Sequence, residues 1–314
     1  MLAVKRTERE RMLLQKGLFG WLTALALPLA VAASGCGTTS PTAVGPSTGH
    51  HHASATPKAK APPKKAKPVA RPGVVQPTPK HPLNILVIGD SLGEDLMYGM
   101  EDIVGNSKVI HIIPKAVGST GLVNTSYYNW RATLNQDLNR YHPGLVVVLL
   151  GGNDALSFYQ GGKVVDFGSP LWHKDYGGRV AALMTEAQRH HVPMVWVGLP
   201  IMGPNAVLSN HSMMLENSLY AAEARKHPGT AFVPSWKVFQ EGGHYVTSMT
   251  DNQGVSVLVR DPDGVHIALP AGGELIASWT LWNIERIEHI SICINGSNLW
   301  NTYPLHACGV KPAG

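Results

Sequence analysis

Cysteine is scarce in this chain, with three in 314 residues. No His/Cys spacing of the kind that holds a metal accompanies them. Residues 37–80 contain almost no large apolar side chain and no Asp or Glu. Such a segment buries too little surface to offset its ordering entropy, which excludes it from any core. The longest uncharged apolar run, residues 18–33, is 16 residues long, short of the roughly 20 that a full membrane span needs. A basic stripe is also missing from the rest of the chain. The formal charge of +5 comes from the N-terminal part, which leaves 14 Lys/Arg against 19 Asp/Glu for residues 81–314. That mildly acidic balance argues against nucleic-acid binding.

What is present at the N-terminus is a basic stretch (Lys5, Arg6, Arg9, Arg11, Lys16), the apolar run, and then Ala33-Ser34-Gly35-Cys36. This order reads as an export signal over residues 1–36. Its end resembles a bacterial lipoprotein box, which implies lipidation of Cys36 and a membrane partner through that lipid. Plain secretion and an uncleaved anchor are the other two readings. All three place the remainder outside the cytoplasm. Residues 37–80 are a Pro/Ala/Lys-rich tether, whose seven Lys/Arg add a weak attraction to anionic surfaces. Its three consecutive histidines, 50–52, belong to that linker and not to a metal site. In an oxidising compartment Cys293 and Cys308 are expected to pair. Closing so short a loop is worth about 3 kcal/mol in the chain-entropy model.

Residues 81–314 read as one domain. Short, solidly apolar runs at 85–88, 109–113, 145–150, 194–199 and 230–233 are strand candidates. They alternate with amphipathic segments of helical length at 92–104, 127–141, 175–190, 212–226 and 273–287. Strands apolar on both faces, separated by helices, predict an α/β fold: a three-layer α/β/α sandwich on a central parallel sheet, of flavodoxin-like type. Its site is expected outside the carboxyl ends of the strands. The Gly-rich stretch 161–172 reads as a loop over that site. The stretch 235–260 reads as irregular, with 255–259 as one arm of a hairpin.

Three short blocks stand out, two at those strand ends and one in a later loop: Gly89-Asp90-Ser91-Leu92, Gly151-Gly152-Asn153-Asp154, and Asp263-Gly264-Val265-His266. They supply a hydroxyl, an amide donor, a carboxylate and an imidazole. A serine hydroxyl is a poor nucleophile until a base takes its proton. His266 is that base if Asp263, three residues earlier, holds its ring, and an Asn amide can stabilise a developing oxyanion. Asp90 and Asp154 are expected to hold loops through side chain–backbone bonds. A metal site from Asp90, Asp154 and Asp263 is the weaker reading.

With these blocks in this order, the chain resembles the SGNH, or GDSL, hydrolase superfamily over most of residues 83–290, and looks like its exported bacterial subgroup of unknown function. The resemblance implies Ser91 as nucleophile, Asp263 and His266 as its partners, and an oxyanion hole from the Ser91 N–H, a glycine N–H and Asn153. The glycine lies in Gly118-Ser119-Thr120-Gly121, where two compete and Gly121 is chosen. It further implies a serine esterase with no metal and no cofactor, acting on a short acyl ester. An O-acetyl group on an envelope glycan suits the export signal, and transfer to a sugar hydroxyl is open to the same site. The competing class is a non-catalytic glycan-binding module on the same scaffold. Trp172 and Trp236, in or beside loops, are candidates for stacking on sugar, whereas Trp130 reads as helix–sheet packing.

Overall fold

A computed structural model of the protein describes residues 73–309. The export signal with Cys36, the three histidines and the tether up to residue 72 lie outside the described residues. Five short strands form one parallel sheet: β1 (Leu83–Gly89), β2 (Ile110–Pro114), β3 (Leu145–Leu149), β6 (Met194–Val197) and β7 (Thr230–Val233). Their order is β2-β1-β3-β6-β7, with Leu83 opposite Ile110 and Ile85 opposite Leu145. Ile85, Leu86, Val87 and Ile88, and likewise Val146, Val147 and Val148, are fully buried. Successive side chains point to opposite faces, so the sheet is covered on both.

The helices are α1 (Ser91–Val104), α2 (Trp130–Tyr141), α3 (Pro170–Arg189), α4 (Asn210–Lys226) and α5 (Ala271–Glu288). The connection from β1 to β2 moves one way along the sheet, and those from β3 to β6 and β7 move the other way. With right-handed crossovers, α1 therefore lies on one face and α2, α3 and α4 on the other. α5 packs on α1. Gly99 and Gly273 allow this contact, since a Cβ on Gly99 would overlap the Gly273 carbonyl. The crossovers diverge between β1 and β3, and that switch point is where a doubly wound sheet opens a crevice.

Several boundaries differ from the sequence expectation, each for a local reason. α3 starts at Pro170 instead of 175, because Ser169 caps it through a bond from the Trp172 N–H and Pro170 sits at its first positions. The expected loop 161–172 thus holds β5 (Lys163–Val165), paired antiparallel with β4 (Phe158–Gln160), and the first turn of α3. α2 begins at Trp130 behind an Asn129 cap. Within 235–260 there are two antiparallel ribbons, β8 (Gln240–Glu241) with β9 (His244–Tyr245), and β10 (Ser248–Thr250) with β11 (Ser256–Leu258). The second of these is the hairpin expected there. β12 (Cys293–Ile294) pairs with β13 (His306–Ala307), and the Cys293–Cys308 disulfide closes across them.

The end of the tether is part of the domain. The Val74 N–H donates to Glu288 Oε2 at 3.3 Å, and Gln76 exchanges two bonds with the Ser291 backbone, both 2.8 Å. The chain from Val74 onward is therefore held against the domain. Among the described residues no helix is long and apolar enough to cross a membrane.

Candidate active site

Two buried carboxylates fix the loops that follow β1 and β3. Asp90 follows β1 and caps α1, with Oδ1 accepting from the Leu92 N–H at 3.1 Å. Its Oδ2 accepts from the N–H groups of Gly151 and Gly152, at 2.9 and 2.8 Å, beyond the end of β3. Asp154 accepts from the Leu122 and Val123 N–H groups, both 2.8 Å, and from the Tyr176 hydroxyl at 2.9 Å. Burial pushes each of these two carboxyls up to about 6, against the donors that favour the ionised form. Behind them the Tyr176 and Tyr220 hydroxyls meet at 2.8 Å, and Tyr220 reaches Glu216 at 3.2 Å. Burial holds the Glu216 carboxyl well above the usual range.

Stitching β1 to β3 in this way fixes Ser91 at the first position of α1, where its side chain is half-buried. His266 Nε2 lies 3.0 Å from Ser91 Oγ, and His266 Nδ1 lies 2.6 Å from Asp263 Oδ2. An ionised carboxylate only accepts, so the imidazole proton sits on Nδ1 and Nε2 is left to accept from the serine hydroxyl. Burial alone would raise the Asp263 pKa. The bonds from the His266 ring and from the His266 and Val265 N–H groups outweigh it, and the net shift is downward.

The loop that carries Asp263 and His266 is gripped from below by Arg260, a fully buried side chain. Its guanidinium donates to the carbonyls of Gly264, Val265 and His266, at 3.1, 2.8 and 3.2 Å, and to that of Ile201. It also lies over the rings of Phe239 and Tyr245. Burial lowers its pKa to about 10, so it remains a cation near neutral pH. Asp95, one turn beyond Ser91 in α1, accepts from the Ile267 N–H at 3.1 Å. Helix α1 therefore positions both the serine and the loop that carries its base. Sequence reading missed Arg260 and Asp95. The available signals were an arginine ending the apolar run Val255–Val259 and an acid four residues after Ser91 inside a buried helix.

Asn153 comes to the same crevice, and its Nδ2 donates to the Thr120 carbonyl at 2.9 Å. This bond bears on the choice between Gly118 and Gly121. The Thr120–Gly121 peptide is trans, so its N–H points opposite to its C=O. With the carbonyl bonded to Asn153, the Gly121 N–H points to the opposite edge of that peptide. Gly121 is glycine for another reason, since a Cβ there would overlap Asp154 Oδ1. Gly118 is the other glycine of that stretch. Val117 extends the β2 register by donating to the Gly89 carbonyl at 2.8 Å, which sets Gly118 beside the first turn of α1. Its N–H points at Glu94, with Oε1 accepting at 3.0 Å.

The aromatic expectations divide. Trp130 is buried and donates to Thr120 Oγ1 at 3.0 Å, as a packing residue should. Trp172 is also fully buried, stacked on Tyr176 and donating to the Leu156 carbonyl. Its position in the first turn of α3 turns it into the core, so it offers no sugar face. Trp236 is half-buried against the core.

No curated protein matches the chain. Among solved structures it resembles a GDSL-like lipase from Bacteroides thetaiotaomicron, with 15% identity, 68% of this chain and 92% of that one covered, and a TM-score of 0.45. It also resembles a catalytic mutant of an acetylxylan esterase from Geobacillus stearothermophilus (16%, 64% and 94%, 0.45) and a psychrotrophic esterase from a Pseudoalteromonas species (16%, 66% and 98%, 0.43). The family described as "Protein of unknown function (DUF459)" matches residues 84–281, a span that holds all three blocks and more than half of the chain. On that match, the protein belongs to the DUF459 family.

Proposed function

We propose that the protein is an exported serine esterase that removes a short acyl group, in the first place O-acetyl, from an envelope glycan. The observation that carries this reading is the relay Ser91–His266–Asp263, closed at 3.0 and 2.6 Å at the switch point of the sheet. His266 takes the Ser91 proton as the oxygen attacks the ester carbonyl. Asp263 holds the ring and stabilises the imidazolium that forms. The Ser91 N–H, the Gly118 N–H and the Asn153 amide receive the oxyanion. His266 then returns the proton to the leaving alcohol, and water repeats the sequence on the acyl-enzyme. The side chains of His266 and Asp263 are 35% and 48% exposed. Water therefore reaches the base, which favours hydrolysis over transfer.

The test is an ester screen on residues 73–314, with p-nitrophenyl acetate through octanoate and acetylated glycans, beside fluorophosphonate labelling. Turnover that falls with acyl length and a label on Ser91 are expected. A folded protein that neither turns over an ester nor takes the label would make the module a binder. Export and lipidation at Cys36 rest on the sequence. Metabolic labelling with a fatty-acid analogue should mark the wild type and not Cys36→Ser, and an unlabelled mature protein would point to plain secretion or an anchor.

A further inference from the structure

Three carboxylates around Ser91 are committed to holding the site: Asp90 and Asp95 take backbone N–H groups, and Asp263 takes the imidazole. Glu94 is different. It stands three residues after Ser91 in α1, which places the two side chains on the same helix face, with Cβ atoms about 5–6 Å apart. It is half-exposed, as Ser91 is. Its only bond is the one from the Gly118 N–H to Oε1 at 3.0 Å, and Oε2 has no partner among the described residues. A Cβ on Gly118 would come within 2.9 Å of Glu94 Oε2, so the absence of a side chain there is what lets the carboxylate lie across the peptide. That same N–H is one of the three donors assigned above to the oxyanion.

A negative charge bound to an oxyanion donor opposes the reaction unless it leaves when substrate arrives. Leaving requires something else for the carboxylate to hold. We propose that Glu94 is a specificity-determining residue that exchanges the Gly118 N–H for a hydroxyl or ammonium donor on the substrate beside the ester. The preferred substrates are then acyl esters of polyhydroxylated or amino alcohols, and esters carrying an anionic group at that place are rejected. This inference rests on the esterase reading and narrows its substrate class. The charge within a helical turn of the attacking oxygen acts at short range in a partly desolvated crevice, where like charges repel strongly.

The experiment uses three aryl acetates of similar shape: 4-(aminomethyl)phenyl acetate, 4-(hydroxymethyl)phenyl acetate and 4-acetoxybenzoate. Each kcat/KM is divided by that ester's own hydroxide-catalysed rate. For the wild type the order should be cationic, then neutral, then anionic, with the first and last separated by roughly thirtyfold. Glu94→Gln keeps the shape and loses the charge, so the cationic-to-anionic ratio should shrink by about tenfold. Glu94→Asp keeps the charge and should keep the order. An unchanged ratio in Glu94→Gln, with only a fall in melting temperature, would make Glu94 a structural staple and overturn the inference. If the wild type turns over none of the three esters and takes no fluorophosphonate, the esterase reading itself fails and this inference falls with it.

Discussion

At the scale of single residues the relay makes sharp demands. Ser91→Ala removes the attacking oxygen at a half-buried helix start and should leave the fold intact while turnover drops by about 10⁴-fold or more. Circular dichroism beside the ester assay separates the two. Asn153→Ala should lower kcat by about 10²–10³-fold with little change in KM, because the amide acts mainly on the transition state. A KM effect with kcat intact would instead make it a substrate-binding side chain. Ser91, Asn153, Asp263 and His266 were legible in the sequence, because they lie in short blocks that occur in a fixed order. The oxyanion glycine was not legible. Gly118 and Gly121 are equally plausible as letters. What separates them is the direction of one peptide plane, fixed by the Asn153 bond to the Thr120 carbonyl, and residue spacing carries no record of that.

At the scale of elements, the loop from Asp263 to His266 is held by Arg260 in the way a helix end is held by a cap. Replacing it with Met retains volume but takes the guanidinium donor from the carbonyls of Val265 and Ile201, while those of Gly264 and His266 keep the Gly203 and Asp261 N–H groups. Leaving a buried carbonyl without a donor typically costs about 1–3 kcal/mol. Arg260→Met should therefore lower the melting temperature and lower kcat more than it raises KM, since the base loses its aim while the crevice keeps its walls. A pure stability loss, with kcat of the folded fraction unchanged, would detach Arg260 from the site. The disulfide makes a separate demand. Cys293→Ala should reduce stability by about 3 kcal/mol in the chain-entropy model without touching kcat, because it clips β12 to β13 away from the crevice. The five sheet strands and their helices could be read from apolar runs and spacing. The ribbons β4–β5 and β8–β9 could not, because strands of two or three residues have no periodicity to detect. The early start of α3 was written in Ser169-Pro170, a cap followed by a first-turn proline, but the glycines around it read as loop.

At the scale of the whole molecule, buried acids set how stability responds to pH. Asp90 and Asp154 are held near 6 in the folded state, above the ordinary carboxylate value, and Glu216 is raised as well. A raised acid favours folding while both states are protonated, and that contribution is lost as pH rises from the unfolded value through the folded one. Unfolding free energy should therefore fall between about pH 4 and pH 6, by up to about 3 kcal/mol for each of the two aspartates. Asp263 acts in the opposite sense: its contribution is present above the unfolded carboxylate value and is lost as pH falls through its lowered one. Urea melts at half-unit steps should show a maximum near the low end of that window. Stability rising steadily from pH 4 to 7 would mean that Asp90 and Asp154 stay ionised, with their N–H donors outweighing burial.

The docked segment Gly73–Lys80 also orients the molecule. It lies against Glu288 and Ser291, past the C-terminal end of α5, and feeds Leu83 at the start of β1. Ser91 sits at the other end of that strand, roughly 20 Å away at about 3.3 Å per residue. The disulfide-clipped end of the described chain, where Cys308 nears Ser107 beyond the last turn of α1, gathers on the same far side. The described chain therefore both begins and ends on the side of the domain opposite its crevice.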